Sequence, residues 1–199
     1  MIKVFHRHMT RSVRILWLLE ELGVPYEVEP VERGIGESEE FRKISPTGKM
    51  PAIIDGDVSV FDSGAIIEYL LDKYDVEQKF SPPRGSAEWL QYIQWMHGSE
   101  TFMLPGSLFG HHTVVRSEED RVPKIAEEGK AEFETNLRCL NRLLSEREYV
   151  AGDRFTAADI MLGWCLFVME TVGFGGGLEH IERYSRKLKT RPAYGKIAF

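Results

Sequence analysis

Ile2 to Phe5 is a short β-rich run of the kind that forms a buried strand. From Arg11 to Leu22 the period changes. Ile15, Leu18, Leu19 and Leu22 recur at helical spacing, and Val13, Leu16 and Trp17 widen the apolar face. Arg11, Arg14 and Glu21 mark a narrow wet stripe, and Gly23 is a typical residue to end the helix. Tyr26 to Val31 alternates as a strand does. The three segments predict a β-α-β unit with parallel strands and a right-handed crossover. Glu32 to Lys43 is polar and only weakly helical, and Ser45-Pro46-Thr47-Gly48 is a turn. Ala52 to Ile54 and Val58 to Phe61 flank the hairpin signal Asp55-Gly56. Ser63 to Tyr74 is an amphipathic helix that closes this half.

The stretch from Asp75 to Ser86, with Ser81-Pro82-Pro83-Arg84-Gly85 inside it, has the composition of a linker. After it the pattern is helical throughout: Glu88 to about Val115, Glu119 to Leu144, Ala157 to Val172, Leu178 to Leu188 and Pro192 to Ala198. Ala157 to Val172 is apolar on most sides and is expected at the buried centre of this half. The expected fold class is therefore α/β plus all-α, with one domain over residues 1–77 and an all-helical domain over 86–199. The order βαβαββα of the first domain looks like a thioredoxin fold.

Composition narrows the function. The 199 residues are 43% hydrophobic and 28% charged, ordinary for a soluble chain with a full core. A net charge of −6 with no basic run argues against nucleic acid or an anionic membrane as partner. Cys139 and Cys165 are the only cysteines, form no CxxC and fit a reducing compartment, here the cytoplasm. Both are expected to be inert core residues. The first residues read as a strand rather than a signal peptide, and no apolar stretch is long enough to span a bilayer. His6 and His8 stand at strand spacing and His111-His112 form a second pair, but a metal needs three or four converging ligands, so no metal is expected.

The candidate chemistry sits at Lys49-Met50-Pro51 and Asp62-Ser63. Pro51 has no N–H and suits the first residue of a strand, and it holds Met50 extended. Met50 then offers its backbone to an extended ligand. Asp62-Ser63 precedes a helix whose N-terminal N–H groups suit an anion. A strand edge beside a carboxylate cradle suits a small peptide with a free carboxylate. These two spaced signals resemble the glutathione site of the cytosolic glutathione transferases. There the proline is cis, the residue before it pairs with the cysteine backbone of glutathione, and the acidic-Ser pair holds the γ-glutamyl end. Two more stretches are similar to that family: Gly152-Asp153-Arg154-Phe155-Thr156-Ala157-Ala158-Asp159, a capping-box helix start that serves folding, and Arg11 to Gly23, which is similar to the first helix of many bacterial members. Together they cover essentially the whole chain.

The resemblance implies an enzyme that consumes glutathione as cosubstrate, with its thiolate attacking a small hydrophobic electrophile and a glutathione-peroxidase side activity as an option. It also implies a homodimer. By the same resemblance Lys49 would pair with the glycine carboxylate of glutathione, Asp62 with the γ-glutamyl ammonium and Ser63 with its carboxylate. A free thiol has a pKa near about 8.5, and lowering it by roughly two units takes about 2.7 kcal/mol of selective anion stabilisation. A hydroxyl at the start of the first helix suits that task. Thr10 stands four residues before Arg14, where family members often carry a catalytic serine; Ser12 is the other candidate, and a backbone N–H the third. Either hydroxyl is also a candidate helix cap. No cysteine stands there, which argues against the thiol-transferase branches. His8, Met9, Phe102 and Met103 are the residues nominated for the electrophile pocket. Proteins of this fold that bind or regulate without catalysis remain the alternative.

Overall fold

The structure, a computed structural model, describes residues 1–197, and the expectation for Ala198 therefore lies outside the described residues. The chain divides into two compact units, Met1–Pro83 together with the segment from Lys189 onward, and Arg84–Leu188.

The first unit is built on a four-stranded sheet in the order β2-β1-β3-β4. Its strands are β1 (Ile2–His6), β2 (Tyr26–Pro30), β3 (Ala52–Asp55) and β4 (Val58–Phe61). β1 and β2 are parallel, joined by α1 (Ser12–Leu22), as the sequence pattern predicts. β3 is antiparallel to β1 and to β4, and the β3–β4 hairpin closes through the two residues Gly56-Asp57, with Gly56 at φ 64°. α2 (Glu39–Ile44) is short and capped by Ser38, whose side chain accepts from the Phe41 N–H. α3 (Ser63–Tyr74) follows β4. α1 and α3 pack on each other and on the sheet, burying Val13, Leu16, Ile66 and Leu70 against Val4 and Ile53.

Arg14 departs from the expected wet stripe. It is fully buried, and its Nη1 donates to Ser63 Oγ at 3.0 Å. Charge alone placed it outside, but a long side chain on a packed helix is stable inside when its guanidinium is hydrogen-bonded. Glu21 is likewise covered, with its side chain 8% exposed. It accepts from Trp17 Nε1 at 3.0 Å and from Arg191 Nε and Nη2 at 2.5 and 2.7 Å. This fork, the Lys196–Glu20 pair at 3.1 Å and the edge-to-face contact of Tyr194 with Trp17 bind the tail to α1. The tail from Lys189 thus groups with the first unit, where the sequence division gave it to the helical half.

The second unit contains α4 (Ala87–Gly110), α5 (Pro123–Ser145), α6 (Ala157–Thr171) and α7 (Glu179–Lys189), the last of which ends at the boundary. α4 packs against α5 and α6. α5 begins at Pro123 rather than Glu119, because Pro suits the first helical position, and Glu118–Asp120 form a separate 3₁₀ turn. Every residue from Ala157 to Leu166 is buried, as expected for the central helix. Its start carries the predicted capping box, with the Asp159 carboxylate accepting from Thr156 N–H at 2.8 Å and hydroxyl at 3.1 Å. Tyr184 and Val150 donate to the other carboxylate oxygen at 2.7 and 3.0 Å. Cys165 is buried, but Cys139 is exposed on α5, a correction to its expected place in the core.

Candidate functional site

The strand register brings the candidate residues to one end of the sheet. Phe5 is paired with Ala52, and Ala52 with Phe61. The residues that follow β1, precede β3 and follow β4 therefore emerge together: the His6–Thr10 turn, Met50-Pro51 and Asp62-Ser63. The starts of α1 and α3 lie at the same end, and the Arg14–Ser63 hydrogen bond joins the two helices there.

Met50-Pro51 is cis, and Pro51 is buried just ahead of β3. The backbone of Met50 makes no hydrogen bond among the described residues, so its N–H and C=O are available to an extended ligand. Lys49 is exposed, and its carbonyl is fixed by the Ser45 hydroxyl at 2.8 Å. The turn is further held by a close backbone approach: a Cβ on Gly36 would stand 2.1 Å from the Gly48 carbonyl oxygen. Only glycine fits there.

Asp62 adopts φ 71° and ψ 130°, and its Oδ1 accepts from the N–H groups of Gly64 and Ala65 at 2.9 and 3.1 Å. Two of the N–H groups that the sequence offered to an anion are thus already occupied by the residue's own cap. The second carboxylate oxygen has no such bond, and the residue is exposed. Ser63 is 2% exposed and accepts from Arg14, which leaves its own proton to donate.

Neither candidate hydroxyl belongs to the N-cap residue of α1, which is Arg11 and makes no side-chain capping bond; Thr10 Oγ1 lies 3.4 Å from the Ser12 N–H. Thr10 is half-buried and Ser12 fully buried. Their oxygens are 2.7 Å apart, Thr10 donates to the Arg7 carbonyl at 2.6 Å, and Ser12 lies 2.8 Å from His6 Nδ1. Burial and then the neighbouring His8 hold the His6 pKa below its ordinary value. Of the four residues nominated for an electrophile pocket, His8 and Met9 are exposed in the first unit. Phe102 and Met103 are 7% and 3% exposed in the second unit, where the Phe102 ring meets Trp95 and Phe133 edge-on. Those two are core residues: their apolar side chains follow the α4 face that packs inward with Met96 and Ser99. His6 and Arg14 were not among the nominated residues. The signals that could have found them were the placement of His6 at the end of the strand leading to the hydroxyls, and of Arg14 one helical turn after Thr10. No group of three or more His, Cys, Asp or Glu able to hold a metal occurs among the described residues.

The unpaired Met50 backbone, the Asp62-capped start of α3 and the Thr10–Ser12 hydroxyl pair thus lie at one end of this sheet. Residues 1–72 match the N-terminal domain of glutathione S-transferases, and residues 123–189 match the C-terminal domain. Glutathione S-transferase 3 of Schizosaccharomyces pombe is 33% identical over 209 residues, spanning 97% of this chain and 85% of that protein. The glutathione transferase URE2P6 of Phanerochaete chrysosporium, solved with oxidized glutathione, superposes with a TM-score of 0.90 at 26% identity, over 98% of this chain and 93% of that one. Ure2p5 of the same organism, cocrystallized with 1-(S-glutathionyl)-2,4-dinitrobenzene, gives 0.85 at 28% identity over 98% and 91%. This chain belongs to the glutathione S-transferase family. By that membership it is a transferase enzyme.

Proposed function

We propose that this enzyme holds glutathione along Lys49-Met50-Pro51 and Asp62-Ser63 and conjugates its thiolate to small hydrophobic electrophiles. The tripeptide's cysteine pairs with the Met50 backbone as a short added strand. Ser63 donates to the γ-glutamyl carboxylate, and the free oxygen of Asp62 takes the γ-glutamyl ammonium. Lys49 serves the glycine carboxylate. Thr10 donates to the thiolate, and Ser12, covered by the fold, acts behind it. The chemistry is addition or substitution: the thiol proton leaves to water, and sulfur forms the new bond to carbon as the leaving group departs or the π bond opens. His8 and Met9 flank the electrophile.

The observation that carries this reading is the half-buried Thr10 hydroxyl just before α1, which donates to the Arg7 carbonyl and lies 2.7 Å from Ser12 Oγ. The same observation keeps non-catalytic binding as the second reading, because the Arg7 carbonyl competes for that proton. Exposed Leu90, Leu104 and Leu108 on α4 support the homodimer that the family implies. A cytoplasmic location accords with the two cysteines, and no helix of the described residues is long and apolar enough to cross a membrane.

The test is the ultraviolet thiolate band of bound glutathione against pH. The native protein is expected to ionise the thiol near neutrality, and Thr10→Ala to raise that pKa by about one unit or more. A native protein that binds glutathione but leaves the thiol near its free value would establish the binding reading instead.

A further inference from the structure

Three short contacts run in series through the turn after β1: Thr10 Oγ1 to the Arg7 carbonyl at 2.6 Å, Thr10 Oγ1 to Ser12 Oγ at 2.7 Å, and Ser12 Oγ to His6 Nδ1 at 2.8 Å. Distances this short need a proton between the heavy atoms. A carbonyl oxygen only accepts, so the single proton of Thr10 goes to Arg7. Thr10 then has none for Ser12, and Ser12 must donate to Thr10. Ser12 has none left for His6, so Nδ1 must be protonated and donate. Any other assignment leaves two bare acceptors facing each other at one of the three contacts.

The longer contacts fit the same assignment. The Arg7 N–H lies 3.4 Å from Ser12 Oγ, and the Ser12 N–H lies 3.4 Å from Thr10 Oγ1. Each hydroxyl oxygen then accepts twice and donates once, which is its full capacity. Ser12 Oγ also lies 3.4 Å from the Arg7 carbonyl, but a proton turned that way would empty the 2.7 Å contact with Thr10.

We propose that His6 is a positioning residue for the reaction: as the Nδ1–H tautomer it sets the direction of the chain His6 to Ser12 to Thr10, so that Thr10 can present only a proton to the glutathione sulfur. This rests on the reading of Thr10 as the thiolate's donor. In the unliganded chain the proton points to the Arg7 carbonyl, and the thiolate replaces that carbonyl as acceptor. No proton travels along the chain. Both lone pairs of Thr10 are filled, so it cannot serve as a base, and bonds accepted in series strengthen the one it donates by about 10–30% each. With Nε2 protonated instead, Ser12 would donate to Nδ1 and Thr10 to Ser12, and the sulfur would face an oxygen lone pair. The lowered pKa of His6 keeps the ring neutral, so the direction depends on which nitrogen holds the one proton.

Two measurements test this. Nitrogen NMR of histidine-labelled native protein without glutathione, with the His6 signals assigned by their loss in His6→Asn, should show a protonated Nδ1 and a bare Nε2. A bare Nδ1 overturns the proposal, whatever glutathione does. Next, the bound-thiol pKa is compared among the native protein, His6→Leu and His6→Asn, whose amide N–H takes the place of Nδ1–H. His6→Leu should raise that pKa by about half a unit to one unit, with a matching drop of about three- to tenfold in kcat and little change in glutathione KM. His6→Asn should restore most of the loss, which a merely structural role would not do. An unchanged pKa in His6→Leu overturns the proposal while leaving the Thr10 reading in place. A native protein that never lowers the thiol pKa overturns the Thr10 reading, and the tautomer then decides the direction of the chain alone.

Discussion

Asp62 carries two loads that substitution can separate. Its backbone at φ 71° and ψ 130° is a conformation that side chains oppose, costing about 1–3 kcal/mol. Its Oδ1 caps α3 through Gly64 and Ala65 N–H, a contribution of about 1 kcal/mol against alanine but only a few tenths against glycine. Asp62→Gly therefore loses little capping and relieves the strain, offset by up to about 1 kcal/mol of extra chain entropy in the unfolded state. Its stability should lie between unchanged and about 2.5 kcal/mol above the native protein. Asp62→Ala keeps the strain and loses the cap, so it should fall about 1–2 kcal/mol below. Both variants lose the carboxylate proposed for the γ-glutamyl ammonium. At an exposed site that charge-assisted bond is worth about 1.5 kcal/mol, or about tenfold in glutathione affinity. Urea unfolding reads the first quantity and titration calorimetry with glutathione the second. Equal stability of the two variants would refute the strain argument. An unaltered affinity would refute the recognition role.

Gly36→Ala should cost about 1–3 kcal/mol, because its Cβ would lie 2.1 Å from the Gly48 carbonyl oxygen. It should also raise glutathione KM by moving the turn before Met50, while leaving the bound-thiol pKa unchanged. Asp55 gives a pH signature. Burial pushes its carboxyl up, but hydrogen bonds from Lys73, Tyr74 and Tyr69 outweigh that and hold it below its ordinary value. The folded state thus gives up this proton more readily than the unfolded one. The stabilisation is complete above the unfolded value of about 3.9 and is lost as pH falls through the folded value. Asp55→Asn should lower stability by about 1–2 kcal/mol at neutral pH, and the gap in urea midpoint should close as the medium is acidified.

The sheet end was readable because its signals are local. A proline that opens a strand, a two-residue hairpin and a reciprocal helix cap each follow from neighbouring residues. What escaped depends on partners far along the chain. Arg14 was read by its charge, and only Ser63 on another helix, bonded at 3.0 Å, makes it a buried residue. Cys139 and Phe102 both sit in apolar helical patterns, yet one faces outward and the other into the core, because helical phase over a long amphipathic helix is set by its packing partner. The positive φ of Asp62 has no sequence signature, since glycine rather than aspartate announces such a turn. His6 could be placed on its strand, but the direction of its hydrogen bond follows only from heavy-atom distances.

The return of the tail to α1 makes the first unit discontinuous in the chain. A ribosome releases Glu21 early and Arg191 only after the whole of Arg84–Leu188 has emerged. During that interval Glu21 and the Trp17 ring lack their final cover. A fragment ending at Pro83 would therefore reproduce the sheet and the turns at Met50-Pro51 and Asp62 without the clasp that finishes α1, and it should open more readily than the same residues do in the full chain.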